Sequence, residues 1–520
     1  MNQPDVIVIG SGLGGLTVAS LLAQLQKKKV LVLERHFQPG GYSHQFSRGK
    51  YHWDVGLHYV GAMQKTSPLR QIFDLVTDSQ VDWSPLPEPF ETFSFPGCDF
   101  QVTGDPKRFA ADLITRFPQE EKAIRTYFKD VKRAASALTC AQLEINTRGW
   151  LRWAMLAGRW FNGRHFGIST KDYLATRFRD PLLRALLVSQ WGDYGLPPGS
   201  SAFAVHAMIV HHYLEGAHYP VGGAGSIAES VRKIVEAAGG KFLLRREATE
   251  IIIENGVAVG VRTRNMGNPS APVEEFRAPL VISAVGAPIT YLKLIPESQP
   301  IPFRESLRKF LKEYPMSSAA GLYVGLSADP RQTGASGGNI WIYADTDHDA
   351  LYARRASAIE AGAPEHAYVS FPSLRDPKAT AFTAEILTFA DYDSFARWRG
   401  QPWHRRDEDY QQLKERIADG LLRLVVAHRE LSTPLTNEYF TGHPRGGVYG
   451  LPVCPQRLAP AARDWHRVRS PVPGLFLTGV DTMLLPGIVS ALMAGVITVN
   501  ALPGGRSLPA IFREARRRAS

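Results

Sequence analysis

Asp5-Val6-Ile7-Val8-Ile9-Gly10-Ser11-Gly12-Leu13-Gly14-Gly15 decides the fold of this chain. Val6 to Ile9 is a short, β-branched, wholly apolar run, as expected of a strand buried on both faces. It breaks at a glycine-rich turn, and the Ala/Leu-rich stretch from Leu16 to Leu25 then reads as a helix. A second apolar run, Val30 to Leu33, ends on Glu34. Strand, glycine turn, helix, strand and acid stand in the register of a dinucleotide-binding βαβ unit. Gly10 permits the tight turn, Gly12 lets backbone approach a pyrophosphate, and Gly15 lets helix and strand pack closely, with Gly14 in the same turn. The helix N-terminus offers free N–H groups and a positive dipole end to the phosphates. Glu34 stands where an acid accepts hydrogen bonds from a ribose 2′-OH.

The segment after Glu34 separates the kinds of dinucleotide. Arg35-His36-Phe37-Gln38-Pro39-Gly40-Gly41 makes a double-glycine turn, and the aromatic, polar Tyr51-His52-Trp53-Asp54-Val55-Gly56 follows instead of another βα unit. The double glycine resembles the flavin amine-oxidase and phytoene-desaturase superfamily, where such a turn passes close to the cofactor. The remaining parts of the unit come much later. Ser226 and Glu229 have the spacing of a capping box, and Ile227, Val231, Ile234 and Val235 recur at helical intervals. Lys241 to Leu244 starts a strand, 251–261 reads as a hairpin around Asn255-Gly256, and Leu280 to Ala284 is another buried strand. Gly474 to Gly479 is a last short strand, with a helix from about Val489 to Ala501.

These pieces predict an α/β protein with a Rossmann-like, two-dinucleotide-type FAD domain assembled from residues 1–62, 217–290 and 465–503. A mostly helical insert covers 63–216, an α+β substrate domain covers 291–464, and 504–520 is a basic tail. In the second insert, strands are expected at Ala320–Leu326, Asn339–Tyr343, Ala367–Phe371 and Ala384–Phe389. An amphipathic helix should run through Tyr410, Leu413, Ile417, Leu421 and Leu424. Strand runs without intervening helices suggest an antiparallel sheet.

Composition excludes several classes. The 520 residues are 44% hydrophobic and 10% aromatic, which is globular, and no stretch has the uninterrupted apolar length of a membrane span. Three cysteines without CxxC spacing argue against zinc or iron–sulfur chemistry, and no metal site is expected. The first strand begins almost at the start of the chain, so no signal peptide is expected and the predicted location is cytoplasmic. The net charge of +11 comes without any nucleic-acid recognition motif, so no nucleic-acid partner is expected. Part of that charge lies in Arg148-Gly149-Trp150-Leu151-Arg152-Trp153 and on through Arg159-Trp160-Phe161, a stretch that has no acid. Arginines on one face and aromatics on the other would make a helix lying on an anionic membrane surface; the competing interpretation is an ordinary packed helix.

Trp53-Asp54-Val55-Gly56-Leu57-His58-Tyr59-Val60-Gly61 is followed in order by Gly192-Asp193-Tyr194-Gly195, 203–207 and 212–223. In these blocks the chain resembles the retinol saturases, nested among carotenoid isomerases and phytoene desaturases. Further blocks are 338–341, 369–373, Thr433 to Asn437 and Pro444 to Gly450, so the resemblance runs over nearly the whole chain. It implies an FAD enzyme acting on a C=C bond of an apolar polyene, by saturation, isomerisation or desaturation. A non-catalytic prenyl- or lipid-binding protein of the same fold, as in the Rab GDP-dissociation inhibitors, is the alternative from another class. The resemblance also implies flavin contacts at Ala248, at Gly479 and Asp481 (the acid receiving ribityl hydroxyls), and at Gly487-Ile488-Val489. That last helix N-terminus would face the flavin pyrimidine. With Gly10, Gly12, Gly14, Gly15, Glu34, Arg35, Gly40 and Gly41, these complete the expected cofactor set.

Saturating a C=C needs hydride on one carbon and a proton on the other. His58, Tyr59 and Tyr449 are the leading candidates for positioning or protonation, with Asp193, Tyr219 and Glu438 behind them. His206, His211 and His212 lack metal-binding spacing and are read as core or surface residues. No second nucleotide motif for a nicotinamide is evident, so the sequence leaves the electron donor open.

Overall fold

The computed structural model describes residues 3–147, 149–422, 428–432 and 434–519. Arg148 of the aromatic stretch, Leu424 of the expected long helix and Thr433 of the family blocks lie outside them. The opening unit forms as its sequence dictates: β1 (Val6–Ile9), α1 (Leu13–Gln26) and β2 (Val30–Leu33). Every residue of both strands is buried, which is why no polar residue alternates along them. The parallel sheet runs Lys241–Leu243, β2, β1, Val281–Ser283, Leu475–Leu477, so three separated stretches of chain build one layer. The expected hairpin spans Arg246–Glu254 and Val257–Asn265, and Asn255 and Gly256 both take positive φ at its turn.

The helix at 225–237 starts two residues earlier than a capping box at Ser226 requires. Ser226 donates its hydroxyl to Gly223 O, and Glu229 pairs with Arg232, so neither caps the helix end. The expected long helix is Glu408–Leu421.

The second sheet has seven strands, in the order His428–Ser432, Ser318–Leu326, Phe382–Ala390, His366–Ser370, Asn339–Tyr343, Glu91–Phe95, Cys98–Val102. It is not wholly antiparallel, because Asn339–Tyr343 pairs in parallel with Glu91–Phe95. The hairpin 91–102 thus leaves the otherwise helical first insert and extends the substrate-side sheet. Its alternation drives this: Glu91, Phe93 and Phe95 face inward while Thr92 and Ser94 do not.

Two basic segments also differ from expectation. The stretch 508–519 is a helix packed on Pro68–Thr77, with Ile511 and Ala515 buried, so it is not a free tail. In Gly149–Asn162 the arginines reach toward the preceding helix while staying partly exposed: Arg152 and Arg159 lie 3.6 and 3.4 Å from its buried Glu144 carboxylate. The aromatic rings meet solvent more fully. Trp150 and Trp160 are each 79% exposed, with Phe161 at 75% and Trp153 at 73%. Among the described residues no helix is long and apolar enough to cross a membrane, and no cluster of His, Cys, Asp and Glu could hold a metal.

Candidate active site

The carboxyl ends of β1 and β2, the first turn of α1 and the N-terminus of helix Ile488–Ala501 open onto one cleft of about 840 Å³. Such a crevice beyond parallel strand ends is where open α/β sheets bind ligands. Gly10, Gly12, Gly14, Glu34, Arg35, Gly40, Gly41, Ala248, Gly479, Gly487 and Ile488 all line it. The glycines of the first turn divide the work. A Cβ built at Gly15 would stand 2.2 Å from Gly10 O, so Gly15 serves helix–strand contact and does not face the cleft. A Cβ at Gly12 would meet nothing within 4 Å, and the same is true at Gly487. At these two positions, each the residue just before a helix, the missing side chain leaves cleft space beside bare backbone. First-turn N–H groups have no partner within their own helix, and the two helix N-termini present theirs here. A pyrophosphate fits that arrangement.

Glu34 is fixed before any ligand arrives. Its Oε2 accepts from Ser11 N at 2.8 Å and Ser11 Oγ at 2.6 Å, and its Oε1 accepts from His36 N at 2.7 Å. Arg35 lies 3.4 Å from Glu247. Arg246, Arg264 and Lys293 also line the cleft, and sequence reading missed them because they come from separate segments with no shared motif. Glu438 lines it too, with its carboxylate 2.9 Å from Arg399.

Asp481 departs from the expected ribityl contact. It is buried, its Oδ2 accepts from Ala287 N and its Oδ1 from Leu451 N, both at 2.8 Å. Its neighbours Gly479 and Val480 face the cleft, whereas the carboxylate ties two chain segments together behind it.

A second chamber of about 220 Å³ adjoins the cleft. Tyr42, Gly56, Val448, Tyr449, Gly487 and Ile488 line both, so they form the shared wall. The far side is apolar and aromatic, with Met208, Ile209, Tyr213, Trp341, Tyr368, Leu387 and Phe389. His58, Tyr59, Asp193 and Val489 face this chamber.

The three leading candidates have different surroundings. Tyr449 donates its hydroxyl to Gly192 O at 2.6 Å, which fixes the ring as wall and commits its proton. His58 Nδ1 lies 2.7 Å from Glu385 Oε2, which orients the imidazole. Glu385 also accepts from Asp54 N, and burial followed by the Glu385 charge pushes Asp54 up to about 8. Tyr59 touches two acids, with its hydroxyl oxygen 2.6 Å from Glu91 Oε1 and 2.7 Å from Asp193 Oδ2. Burial is the first cause raising the pKa of Glu91 and of Asp193. Glu91 was absent from the sequence reading; its only signal was an acid at an inward position of an alternating strand.

Other candidates lie elsewhere. Tyr219 lines neither cavity and donates to Asp54. His206 is buried between the Tyr127 and Tyr194 hydroxyls, and burial lowers it to about 3. His212, by contrast, lines the aromatic chamber and accepts from Gly61 N through Nε2, while His211 is exposed.

Comparison with known proteins follows the same outline. The model of an NAD(P)-binding Rossmann-like domain matches residues 8–76. Cyclohexylamine oxidase from Brevibacterium oxydans has a similar fold, with a TM-score of 0.59 at 15% identity, covering 99% of this chain and 100% of that one. Fold and cleft thus define an α/β protein with a Rossmann-like dinucleotide domain and the fold of an amine oxidase. An all-trans-retinol 13,14-reductase of Danio rerio is 32% identical over 533 residues, covering 97% of this chain and 86% of the relative. A chloroplastic prolycopene isomerase of an Oncidium hybrid cultivar is 25% identical over 524 residues, covering 96% and 84%. The chain belongs to the all-trans-retinol 13,14-reductase family.

Proposed function

We propose that this protein is an FAD-dependent oxidoreductase that reduces a C=C bond of a long apolar polyene, in the manner of all-trans-retinol 13,14-reductase. The observation that carries the proposal is the aromatic chamber sharing a wall with the dinucleotide cleft, in a chain of this family. FAD would be held by the first turn at Gly10, Gly12 and Gly14, by Glu34 and Arg35 at the ribose, by Gly40-Gly41, and by backbone at Ala248. Gly479 and the 487–489 turn would complete its far end. Reduced flavin bound there would supply hydride.

Everything else falls to the chain. The chamber excludes water and holds the polyene flat between aromatic walls. Tyr449, anchored on Gly192 O, positions the substrate at the shared wall. His58 and Tyr59 bring polar hydrogens to a largely aromatic chamber, and one of them or a group bonded to them delivers the proton. The prolycopene isomerase relative supports a second reading, in which the same site moves a double bond between cis and trans without net reduction.

A peripheral membrane position fits an insoluble substrate. The exposed rings of Trp150, Trp153, Trp160 and Phe161 support it, and so do the three arginines, 152, 159 and 463, that face the single Glu144 carboxylate. That surplus of positive charge beside exposed aromatics suits an anionic lipid surface.

The test is chemical. The nucleotide released from purified protein is identified by mass spectrometry, and dithionite-reduced protein is incubated anaerobically with all-trans-retinol. FAD and a product heavier by two hydrogens are expected. No flavin uptake overturns the cofactor assignment, and an isobaric product favours isomerisation.

A further inference from the structure

Counting protons at Tyr59 assigns a role to an acid beside it. A phenol has one hydrogen, yet the Tyr59 oxygen lies 2.6 Å from a Glu91 oxygen and 2.7 Å from an Asp193 oxygen. Contacts that short each need a proton between the oxygens. Tyr59 supplies one, so the other must sit on a carboxyl group. A single phenolic hydrogen split between two carboxylates would leave two negative charges buried together.

The surrounding donors show which acid is ionised. Glu91 is fully buried and collects three of them: Tyr59, Trp341 Nε1 at 3.0 Å and Gln190 Nε2 at 2.6 Å. Three donors on one carboxylate stabilise its charged form. Asp193 receives no donor comparable to these; its oxygen meets only the phenol among the hydrogen bonds of the described residues. Asp193 also lines the substrate chamber, whereas Glu91 lies behind it.

We propose that Asp193 is held as a neutral carboxylic acid whose O–H donates to Tyr59 at rest and turns into the chamber it lines to protonate the polyene, with Tyr59 and Glu91 as positioning residues. This rests on the reduction proposed above. Hydride from reduced flavin forms one C–H bond, and the Asp193 proton forms the second. The π bond is lost, the flavin is oxidised, and Asp193 is left as a carboxylate to be reprotonated from solvent. Groups packed against the pair are Tyr194, Tyr213, Tyr343, Tyr368 and Tyr449, with Arg375 the cation acting on Glu91. The tyrosines are held neutral by burial; burial first, and then the Glu91 charge, keep the proton on Asp193.

Two variants and one spectrum test this in the flavin-loaded full chain. An infrared difference spectrum of wild type minus Asp193→Asn at pH 7 should contain the C=O stretch of a protonated carboxyl, whatever the substrate is. Its absence overturns the assignment without touching the proposed reaction. Asp193→Asn keeps a donor toward Tyr59 and should retain flavin content while slowing double-bond reduction by roughly 10²–10⁴-fold. Glu91→Gln should move the alkaline limb of the pH–rate profile to lower pH, because the neighbouring charge is gone. Wild-type rate in Asp193→Asn, or an unmoved limb in Glu91→Gln, overturns the proposal. If Asp193→Asn does not fold, Glu91→Gln decides alone. If wild type reduces no polyene while the infrared band is present, the reaction fails and the protonated acid stands.

Discussion

Gly12 and Gly15 stand three residues apart in one turn, and the structure predicts opposite consequences for the same methyl group at each. Gly12 has φ −61° and ψ 166°, ordinary backbone for alanine, and an added Cβ meets nothing within 4 Å. Gly12→Ala should therefore keep the apoprotein intact, with a gain of about 0.4–1 kcal/mol from restricting the unfolded chain. The methyl group projects into the cleft, where it blocks close approach of a phosphate to the helix N-terminus. Losing one charge-assisted hydrogen bond costs about 1.5–3 kcal/mol, so FAD affinity should fall roughly ten- to a hundredfold. With FAD at about 100 times the wild-type Kd, its stabilisation of about 2.7 kcal/mol should shrink to about 1.4 kcal/mol or less. Gly15→Ala presses a Cβ to 2.2 Å from Gly10 O, and this overpacking should cost about 1–3 kcal/mol of apoprotein stability. Denaturant melts of both apoproteins, with flavin titrations by fluorescence quenching, separate the two effects. A destabilised Gly12→Ala apoprotein, or one binding FAD like wild type, would refute the reasoning.

Acidification from pH 6.5 to 4.5 should lower the melting temperature of the apoprotein. Burial lowers His36, His206 and His366 to about 3 and His212, His348 and His466 to about 4, so these six take up protons on unfolding in that window. Asp54, Glu91 and Asp193 act in the opposite sense, because their raised pKa values keep protons on the folded state; six histidines against three acids leave the unfolded state binding more protons as the pH falls through this window. Each net proton is worth about 1.4 kcal/mol per pH unit, and a flat or rising melting curve would contradict this. Replacing Trp150, Trp160 and Phe161 together by serine should release the protein from anionic vesicles in a flotation assay with its melting temperature unchanged; undiminished flotation assigns those rings to another role. Charge reversal of Arg152 or Arg159 would be a poorer probe, since both pair with buried Glu144. Tyr449→Phe should leave flavin content alone and slow turnover by less than about tenfold, because its hydroxyl is committed to Gly192 O; a loss of 10²-fold or more would make it a proton donor.

The nucleotide half of the site was legible because its physics is local. Residues 5–34 carry strand, turn, helix and acid in one continuous stretch, and the Asn255-Gly256 hairpin and the 488–501 helix likewise announce themselves. The substrate half depends on long-range pairing. Glu91–Phe95 finds its parallel neighbour at Asn339–Tyr343, and nothing within the five residues 91–95 names that partner. Asp481 carries a motif position, yet the loops at 287 and 451 supply backbone donors that claim its carboxylate. The arginines of 149–162 suggested contact with an anionic membrane surface, and only the tertiary structure sets Arg152 and Arg159 beside the buried Glu144 of the preceding helix. Tyr59 stood out in the sequence beside His58 as a candidate donor, and only the tertiary structure gives it Glu91 and Asp193 as partners.

An anaerobic titration tests the central claim most directly. Protein whose flavin has been bleached by stoichiometric dithionite is mixed with all-trans-retinol, while the flavin and polyene absorbances are followed together. Reduction predicts that oxidised flavin returns one-for-one with retinol consumed, the polyene band moving to shorter wavelength as a conjugated double bond is lost. Flavin that stays reduced while the retinol is unchanged, or merely isomerised, would contradict it.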